Sequence, residues 1–217
     1  MYDLKSEQLE WLARPELDSP GNRFNDGRVD RQGRFWAGAM VEDKAIRTRA
    51  AGLYRLDNNR QCRGVVDGIS ISNGLCWSPD SRVMYHADSP RRQMYAYDFD
   101  ASSGTASNKR VFTSTEDGFY PDGATVDSEG YLFSAQWGGS RIVRYTPSGD
   151  IDGVLNVPVS QPSCMAFGGE NLDLLFVTTA RENLDDESLS EQPMAGNVLI
   201  YQTPFKGTSD PVVKALN

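Results

Sequence analysis

The stretch RFNDGRVDRQGRFWAGAM, residues 23 to 40, shows the pattern that decides the fold. A polar Asn-Asp-Gly trio comes first, then a short apolar strand, a turn rich in Asp and Gly, and a second strand of alternating apolar residues. Asn, Asp and Gly tolerate left-handed backbone angles, so the trio alone is typical of a tight turn. The same polar side chains also suit a binding site, and the rest of the chain has to decide between the two interpretations.

The pattern recurs along the chain with a period of about 48 residues, in further segments that begin at Ile71, Tyr120 and Gln161. Each unit continues with a third strand that contains a Tyr, and the first three units add a weaker fourth strand. Period-2 alternation, β-branched and aromatic residues and frequent turn signals favour short antiparallel strands. Four strands per repeat of this length indicate a blade of a β-propeller.

The repeats predict an all-β chain that forms a single β-propeller domain over residues 1–217, with blades starting near residues 23, 70, 119 and 161. Residues 1–22 resemble the second half of a blade, which gives about four and a half blades in all. We expect Met1 to be an internal start that cuts off earlier blades; the alternative is that this piece closes the ring by completing the last blade. Residues 181–196 are predicted to be a surface loop or a one-turn helix.

Composition excludes several classes of partner. The formal charge of -8 and the pI near 4.7 argue against binding to nucleic acid or to an anionic membrane. No apolar run reaches the roughly 20 residues of a membrane helix, and no basic segment precedes an apolar core at the amino terminus. We therefore expect a soluble, cytoplasmic protein, and no particular oligomeric state is predicted.

The sequence contains few cysteine and histidine side chains that could serve as nucleophiles, general bases or metal ligands. Cys62, Cys76 and Cys164 fit neither a disulfide framework nor a metal-binding spacing, and we expect buried thiols. His86 is the only histidine, which excludes an HExxH helix and a multi-histidine metal cage. It is predicted to be a strand residue with a satisfied hydrogen bond. Hydrolytic chemistry would therefore depend on carboxylates, amides and an oxygen-coordinated metal.

The polar trios point to one place in the fold. The innermost strand of each propeller blade begins beside the central channel, so the residues before these strands are predicted to converge. The corresponding residues are Asn25, Asn73, Asp122 and Ser163. A carboxylate and two amides form an oxygen-only set that suits Ca²⁺, Mg²⁺ or Mn²⁺, and also Zn²⁺. Each trio is also a favoured turn sequence, and repetition alone leaves both interpretations open.

Four stretches together resemble the regucalcin/gluconolactonase family, also called the senescence marker protein family, of six-bladed propeller lactonases. They are NRFNDGRVDRQGRFWAGAM, ISNGLCWSPD, PDGATVDSEGYLFSAQWGGSRIVRYTPSG and CMAFGGENLDLLFVTTAREN with QPMAGNVLIY, and they span residues 22 to 201 in the family's order. The resemblance implies a six-bladed propeller that is incomplete in this chain. It also implies metal-dependent hydrolysis of a sugar lactone to the aldonic acid. The implied cofactor is one divalent cation, Ca²⁺ or Zn²⁺ first, with Mg²⁺ or Mn²⁺ as alternatives.

The same resemblance implies roles for individual residues. Asn73 and Asp122 are implied to hold the cation, and Asp122 also to act as the catalytic base. The implied substrate contacts are Arg23, Asn25, Asp26, Glu42 and Asp43. In one respect the chain departs from the family, because the Glu ligand of the family's amino-terminal EGP motif has no counterpart upstream of RFND.

Two other functions remain open at this stage. One is a non-catalytic propeller that binds calcium or a sugar, since the fold does not decide the function. The other is a hydrolase for a different ester, such as an aryl ester or an organophosphate. The loops near Asp43 and residues 181–196 are expected to distinguish lactones by the placement of their hydroxyl groups.

Overall fold

The structure is a computed structural model and describes residues 1–42 and 51–214. Within these residues the chain forms β-strands, one short helix, α1 (Asp186–Glu191), and a 3-10 turn at Ser89–Arg91. The strands are β1 (Asn22–Val29), β2 (Phe35–Val41), β3 (Ala51–Leu56), β4 (Cys62–Ile69), β5 (Ser72–Trp77), β6 (Val83–Asp88), β7 (Gln93–Asp100), β8 (Thr105–Ser114), β9 (Tyr120–Val126), β10 (Leu132–Trp137), β11 (Arg141–Tyr145), β12 (Ile151–Asn156), β13 (Pro162–Gly168), β14 (Leu174–Thr179) and β15 (Val198–Gln202).

The described strands form four antiparallel sheets, which we call blades 1 to 4. Blades 1 to 3 have four strands each, in the orders β1-β2-β3-β4, β5-β6-β7-β8 and β9-β10-β11-β12, and blade 4 has the three strands β13-β14-β15. The first strand of each blade is its inner strand: β1 packs beside β5, β5 beside β9 and β9 beside β13. The prediction of an all-β propeller with an incomplete set of blades is therefore confirmed.

The turn after an inner strand is built on a side-chain oxygen. In blade 1, Asp30 Oδ1 accepts hydrogen bonds from the backbone N–H groups of Gln32 and Arg34, both at 3.0 Å. Asp127 plays this part in blade 3 and Ser78 Oγ in blade 2. Short Asp and Ser side chains satisfy nearby backbone donors and so favour turns over continued strand. The turns rich in Asp and Ser fold as the sequence predicts.

Aromatic side chains fill the spaces between neighbouring blades. Between blades 1 and 2, the rings of Trp36 and Trp77 have centroids 5.5 Å apart, and Phe99 packs against both at 5.9 Å. Comparable groups lie between blades 2 and 3 (Tyr85, Phe112, Tyr145) and around the contact of blades 3 and 4 (Phe133, Phe167, Phe205). Such pairs contribute about 0.5–1.5 kcal/mol each beyond the area they bury. Packing of large rings thus fixes the angle between blades, and with it the positions of the inner strands.

The amino-terminal segment lies against blade 1. Residues 1–21 include an isolated antiparallel bridge between Tyr2 and Leu9. Further along, the Glu16 carboxylate accepts a hydrogen bond from Tyr54 Oη at 2.8 Å. The extended pieces predicted here are therefore joined by a bridge and not by a long ladder, and Glu16 holds the segment on β3.

The carboxy-terminal segment also returns to blade 1. Asp210 forms an ion pair with Arg28 at 3.1 Å, and the Lys214 N–H donates to Gly33 O at 2.9 Å. Residues 181–196, predicted as a loop or a one-turn helix, contain α1. Neither α1 nor any other helix of the described ranges is long and apolar enough to cross a membrane.

The lone histidine and the cysteines occupy different environments. His86 is 1% exposed, and its Nε2 lies 2.7 Å from Ser72 Oγ, which confirms the predicted strand role. Its Nδ1 is buried without a partner in the described part of the chain. Cys76 is buried as predicted, whereas Cys62 and Cys164 are half-buried free thiols. The prediction of three buried thiols was wrong for these two, because one lies on the outer strand β4 and the other on β13 beside the channel.

His86 should make the protein sensitive to acid. Burial, with a smaller contribution from the charge of Lys109, lowers the pKa of His86 to about 3. The unfolded chain takes up this proton below about pH 6.5, so the free energy of unfolding falls as the pH drops below that value, by up to about 1.4 kcal/mol per pH unit. Between about pH 6.5 and pH 5, the free energy of unfolding should fall by about 1–2 kcal/mol less in His86→Gln than in wild type. Urea denaturation at the two pH values measures this difference. Equal losses in the two proteins would contradict this assignment.

Candidate active site in the channel

β-Bulges place the polar trios at the channel. The pairing of β1 with β2 shifts between Phe24 and Gly27, so that Asn25 and Asp26 lie in the bulge. The pairing of β5 shifts directly after Asn73, and that of β9 shifts around Asp122. The prediction that these trios precede the inner strands was wrong, since they lie inside β1, β5 and β9. A bulge adds a residue to one strand and turns its side chain away from the regular pleat, which is common beside functional sites.

Close packing of the inner strands explains a glycine in one of these bulges. A Cβ atom on Gly123 would lie 2.5 Å from Cys164 Sγ of the neighbouring strand β13. Any larger residue would push β9 and β13 apart and move Asp122. The Gly of the PDG trio is therefore a packing requirement as well as a turn signal.

Two of the predicted site residues touch directly. Asn25 Nδ2 donates hydrogen bonds to Asn73 Oδ1 and to Ser72 O, both at 2.9 Å. Asn25 Oδ1 in turn accepts a hydrogen bond from Arg23 Nη1 at 3.3 Å. These contacts fix which way the Asn25 amide faces, with its nitrogen toward blade 2. The amides of blades 1 and 2 therefore form one continuous polar unit.

The polar unit continues to blade 3 through a residue that the sequence reasoning missed. Asn73 Nδ2 donates to Ser89 Oγ at 2.8 Å, and Ser89 Oγ donates to Pro121 O at 2.6 Å. Ser89 is buried and follows β6 directly. Its bond to Pro121 fixes the backbone just before Asp122. The Ser-Pro pair that ends the second strand of this repeat was the available signal.

The carboxyl groups of Asp26 and Asp122 are half-buried, and the charge of Asp26 acts on Asp122. Burial raises the pKa of Asp26, although the Leu75 N–H donates to its Oδ2 at 3.1 Å. Burial, and then the charge of Asp26, raise the pKa of Asp122 to about 8, with a smaller effect of Glu182. A positive charge close to the two carboxyl groups would favour the ionised form of Asp122. Such perturbed acids are typical of catalytic and ligand-binding sites.

The outer substrate contacts predicted for blade 1 lie at the surface. Arg23 Nε forms an ion pair with Glu42 Oε1 at 3.4 Å, and both side chains are exposed. Asp43 lies outside the described residues. Ser163, the corresponding residue of blade 4, faces its own sheet, where its hydroxyl lies 2.8 Å from Thr178 Oγ1. Arg23, Asn25 and Asn73 thus form one chain of contacts, and Ser163 is not part of it.

The donor set is compatible with a hard divalent cation. In residues 1–42 and 51–214 no group of three or more His, Cys, Asp or Glu side chains is arranged to hold a metal ion. Asn73 and Asp122 offer an amide and a carboxylate oxygen, and Asp26 adds a second carboxylate nearby. A cation would relieve the repulsion between the two carboxyl groups, and oxygen ligands suit Ca²⁺ or Mg²⁺.

The fold and the site define a β-propeller whose inner strands carry carboxylates and amides at one channel. The sequence pattern described as the SMP-30/Gluconolactonase/LRE-like region matches residues 1–181, and the chain belongs to this family. It is 37% identical over 215 residues to the 6-deoxy-6-sulfogluconolactonase of Pseudomonas putida, covering 98% of this chain and 72% of that one. It is 36% identical over 199 residues to regucalcin of Homo sapiens, covering 89% of this chain and 67% of that one.

A solved structure supports the same fold. The crystal structure of a calcium-binding protein, regucalcin, from Agrobacterium tumefaciens superimposes with a TM-score of 0.90 at 32% identity. The match covers 98% of this chain and 72% of that one. The chain therefore spans roughly seven tenths of the length of these relatives.

Proposed function

We propose that this protein hydrolyses a sugar lactone to the open-chain aldonic acid. The observation that carries the proposal is the hydrogen-bonded unit of Asn25, Asn73 and Ser89, which ends at the carbonyl of Pro121, the residue before Asp122. It supports a site where a carboxyl group and amides from three blades face one ligand. A relative at 37% identity is named as a lactonase, which supports this reaction class.

Asp122 is proposed as the general base. Water would give a proton to the Asp122 carboxylate as its oxygen bonds to the lactone carbonyl carbon. The C–O bond of the ring then breaks, and the ring oxygen takes up the proton, which leaves the aldonic acid. Lactones are activated esters and need only a modest base, so a carboxylate is sufficient.

Arg23 and Asn25 are proposed to orient the ring. The Asn25 amide is held by Asn73 on one side and Arg23 on the other, so its orientation is fixed before substrate binds. The planar guanidinium of Arg23 offers several donors to ring and hydroxyl oxygens. Fixed donors of this kind lower the cost of ordering the substrate. Asp26, Glu42 and Asp43 remain predicted substrate contacts.

Asn73 and Asp122 are the residues proposed to hold one divalent cation. When bound, the cation would supply positive charge that polarises the lactone carbonyl and favours the ionised form of Asp122. A related structure is described as a calcium-binding protein, which supports Ca²⁺ as the first ion to test. The same description favours, as the second candidate function, a propeller that binds calcium without catalysis.

A substrate comparison tests the proposal. Purified protein with added Ca²⁺, Zn²⁺, Mg²⁺ or Mn²⁺ is assayed on a set of aldonolactones and on aryl acetates. We expect kcat/KM to be at least about a hundredfold higher for the favoured lactone than for any aryl acetate, because only the lactone places hydroxyl groups against Arg23 and Asn25. Faster aryl acetate hydrolysis would favour the alternative esterase. Cation binding without any hydrolysis would favour the binding module.

A further inference from the structure

Glu182 lies at the channel end of blade 4, in the loop that follows β14. The pairing of β13 with β14 ends at Pro162 and Thr179, so the chain from residue 180 onward leaves the sheet beside the start of the inner strand. In blade 1 the corresponding residue is Glu42. Phe24 and Pro162 directly precede the corresponding residues Asn25 and Ser163, and they pair with Ala39 and Thr179. Glu42 and Glu182 each lie three residues beyond that partner. The two glutamates thus occupy matching positions of blades 1 and 4.

The backbone at Glu182 is fixed while its side chain is free to meet a ligand. The Ala180 N–H donates to Gln161 O, and Gln161 Nε2 donates to Glu182 O, both at 2.9 Å. Gln161 is only 9% exposed and anchors this loop to β13. The Glu182 side chain is exposed, and its Oε1 accepts a hydrogen bond from Asn183 Nδ2 at 3.3 Å. The backbone of this loop is therefore fixed, and the carboxylate remains exposed to solvent.

Glu182 lies next to the blade that carries Asp122. Gln161, which anchors the Glu182 backbone, directly precedes β13, and β13 packs beside β9, where Asp122 lies. The Glu182 carboxylate differs from that of Glu42, whose charge is compensated by Arg23 at 3.4 Å. The contact that Glu182 makes with Asn183 is to a neutral amide. The acidic helix α1 follows on the same loop.

We propose that Glu182 determines specificity at the part of the substrate that faces blade 4. Its carboxylate accepts hydrogen bonds from the substrate's hydroxyl groups and repels an anionic group placed there. This inference rests on the proposed function and narrows its substrate class to neutral polyhydroxy lactones. Sulfonated and phosphorylated lactones are disfavoured, because a like charge placed against the Glu182 carboxylate costs binding energy.

Binding of two probes tests the role of Glu182 without requiring turnover. The dissociation constants of glucitol and of glucitol 6-phosphate are measured by calorimetry for wild type, Glu182→Gln and Glu182→Lys. We expect wild type to favour the neutral probe by about tenfold or more, Glu182→Gln to reduce this ratio about fivefold, and Glu182→Lys to reverse it. The control is Glu187→Gln in α1, which removes an equal charge from the same loop and should leave the ratio within about twofold of wild type.

Three results would overturn the role of Glu182: an unchanged ratio in both variants, a wild type that favours the phosphate, or a wild type that binds neither probe. Rates on a neutral and a 6-sulfonated gluconolactone are then compared in the same proteins. Glu182→Gln should raise the relative kcat/KM for the sulfonated lactone, mainly through KM. Hydrolysis of neither lactone by wild type, with the probe ratios as expected, would contradict the proposed function and leave the discrimination by Glu182 intact.

Discussion

Replacing Asp122 with asparagine is expected to lower kcat/KM for a sugar lactone by at least about a thousandfold, because the variant keeps the shape of the side chain and loses the proton acceptor. Asn can still offer an amide oxygen to a cation, so the loss should appear mainly in kcat. Steady-state rates on the favoured lactone, measured with the cation at saturation, give both constants.

Asp117→Asn is the matched control for this variant. Asp117 lies in the loop just before β9, and its side chain is 98% exposed beside Arg92. The same chemical change at this position should leave kcat/KM within about twofold of wild type, since exposed ion pairs contribute little. Full activity in Asp122→Asn would remove Asp122 from the reaction. Equal losses in both variants would show an effect of net charge at the channel mouth.

The largest effect on stability is expected from Asp30→Ala. The Asp30 side chain is fully buried, and its Oδ2 accepts hydrogen bonds from Arg34 Nε at 2.6 Å and from Trp36 Nε1 at 2.9 Å. Its Oδ1 accepts the two backbone N–H groups of the turn. Removing the carboxylate leaves a buried guanidinium and an indole N–H without their acceptor, which costs about 3–5 kcal/mol. Urea denaturation at neutral pH measures the loss.

A surface ion pair supplies the comparison. Asp98 pairs with Arg110 at 2.7 Å, with both side chains about half exposed. Asp98→Ala should cost less than about 1 kcal/mol, because solvent screens the pair. If Asp30→Ala lowers the free energy of unfolding no more than Asp98→Ala does, the buried carboxylate does not hold the turn of blade 1.

The blades could be predicted from the sequence because local signals repeat in phase. Apolar alternation, Asp- or Ser-based turns and a Tyr in the third strand recur in each unit, and the structure forms sheets at those places. The position of the trios could not be predicted in the same way. Each of the trios NDG, SNG and PDG is equally compatible with a turn before a strand and with a bulge inside a strand. Whether a turn or a bulge is formed depends on pairing with the second strand, which is a contact between residues distant in sequence.

The candidate site was predictable where it follows the repeat and unpredictable where it depends on neighbouring blades. Asn25 and Asn73 are one repeat apart and meet at 2.9 Å. Ser89 lies beyond the second strand of blade 2, where the sequence varies from unit to unit. Its part in the site follows from packing between blades 2 and 3. Asp43 stays a prediction of the sequence.

Opening of a sugar lactone in this channel is proposed to depend on a divalent cation. Acid release from gluconolactone, followed in a pH-stat with wild-type protein before and after addition of a chelator, measures this dependence. We expect release well above the spontaneous rate with the cation present, at least about a hundredfold at micromolar protein, and a return to the spontaneous rate after chelation. Release at the spontaneous rate with each of Ca²⁺, Zn²⁺, Mg²⁺ and Mn²⁺ present would contradict the proposal.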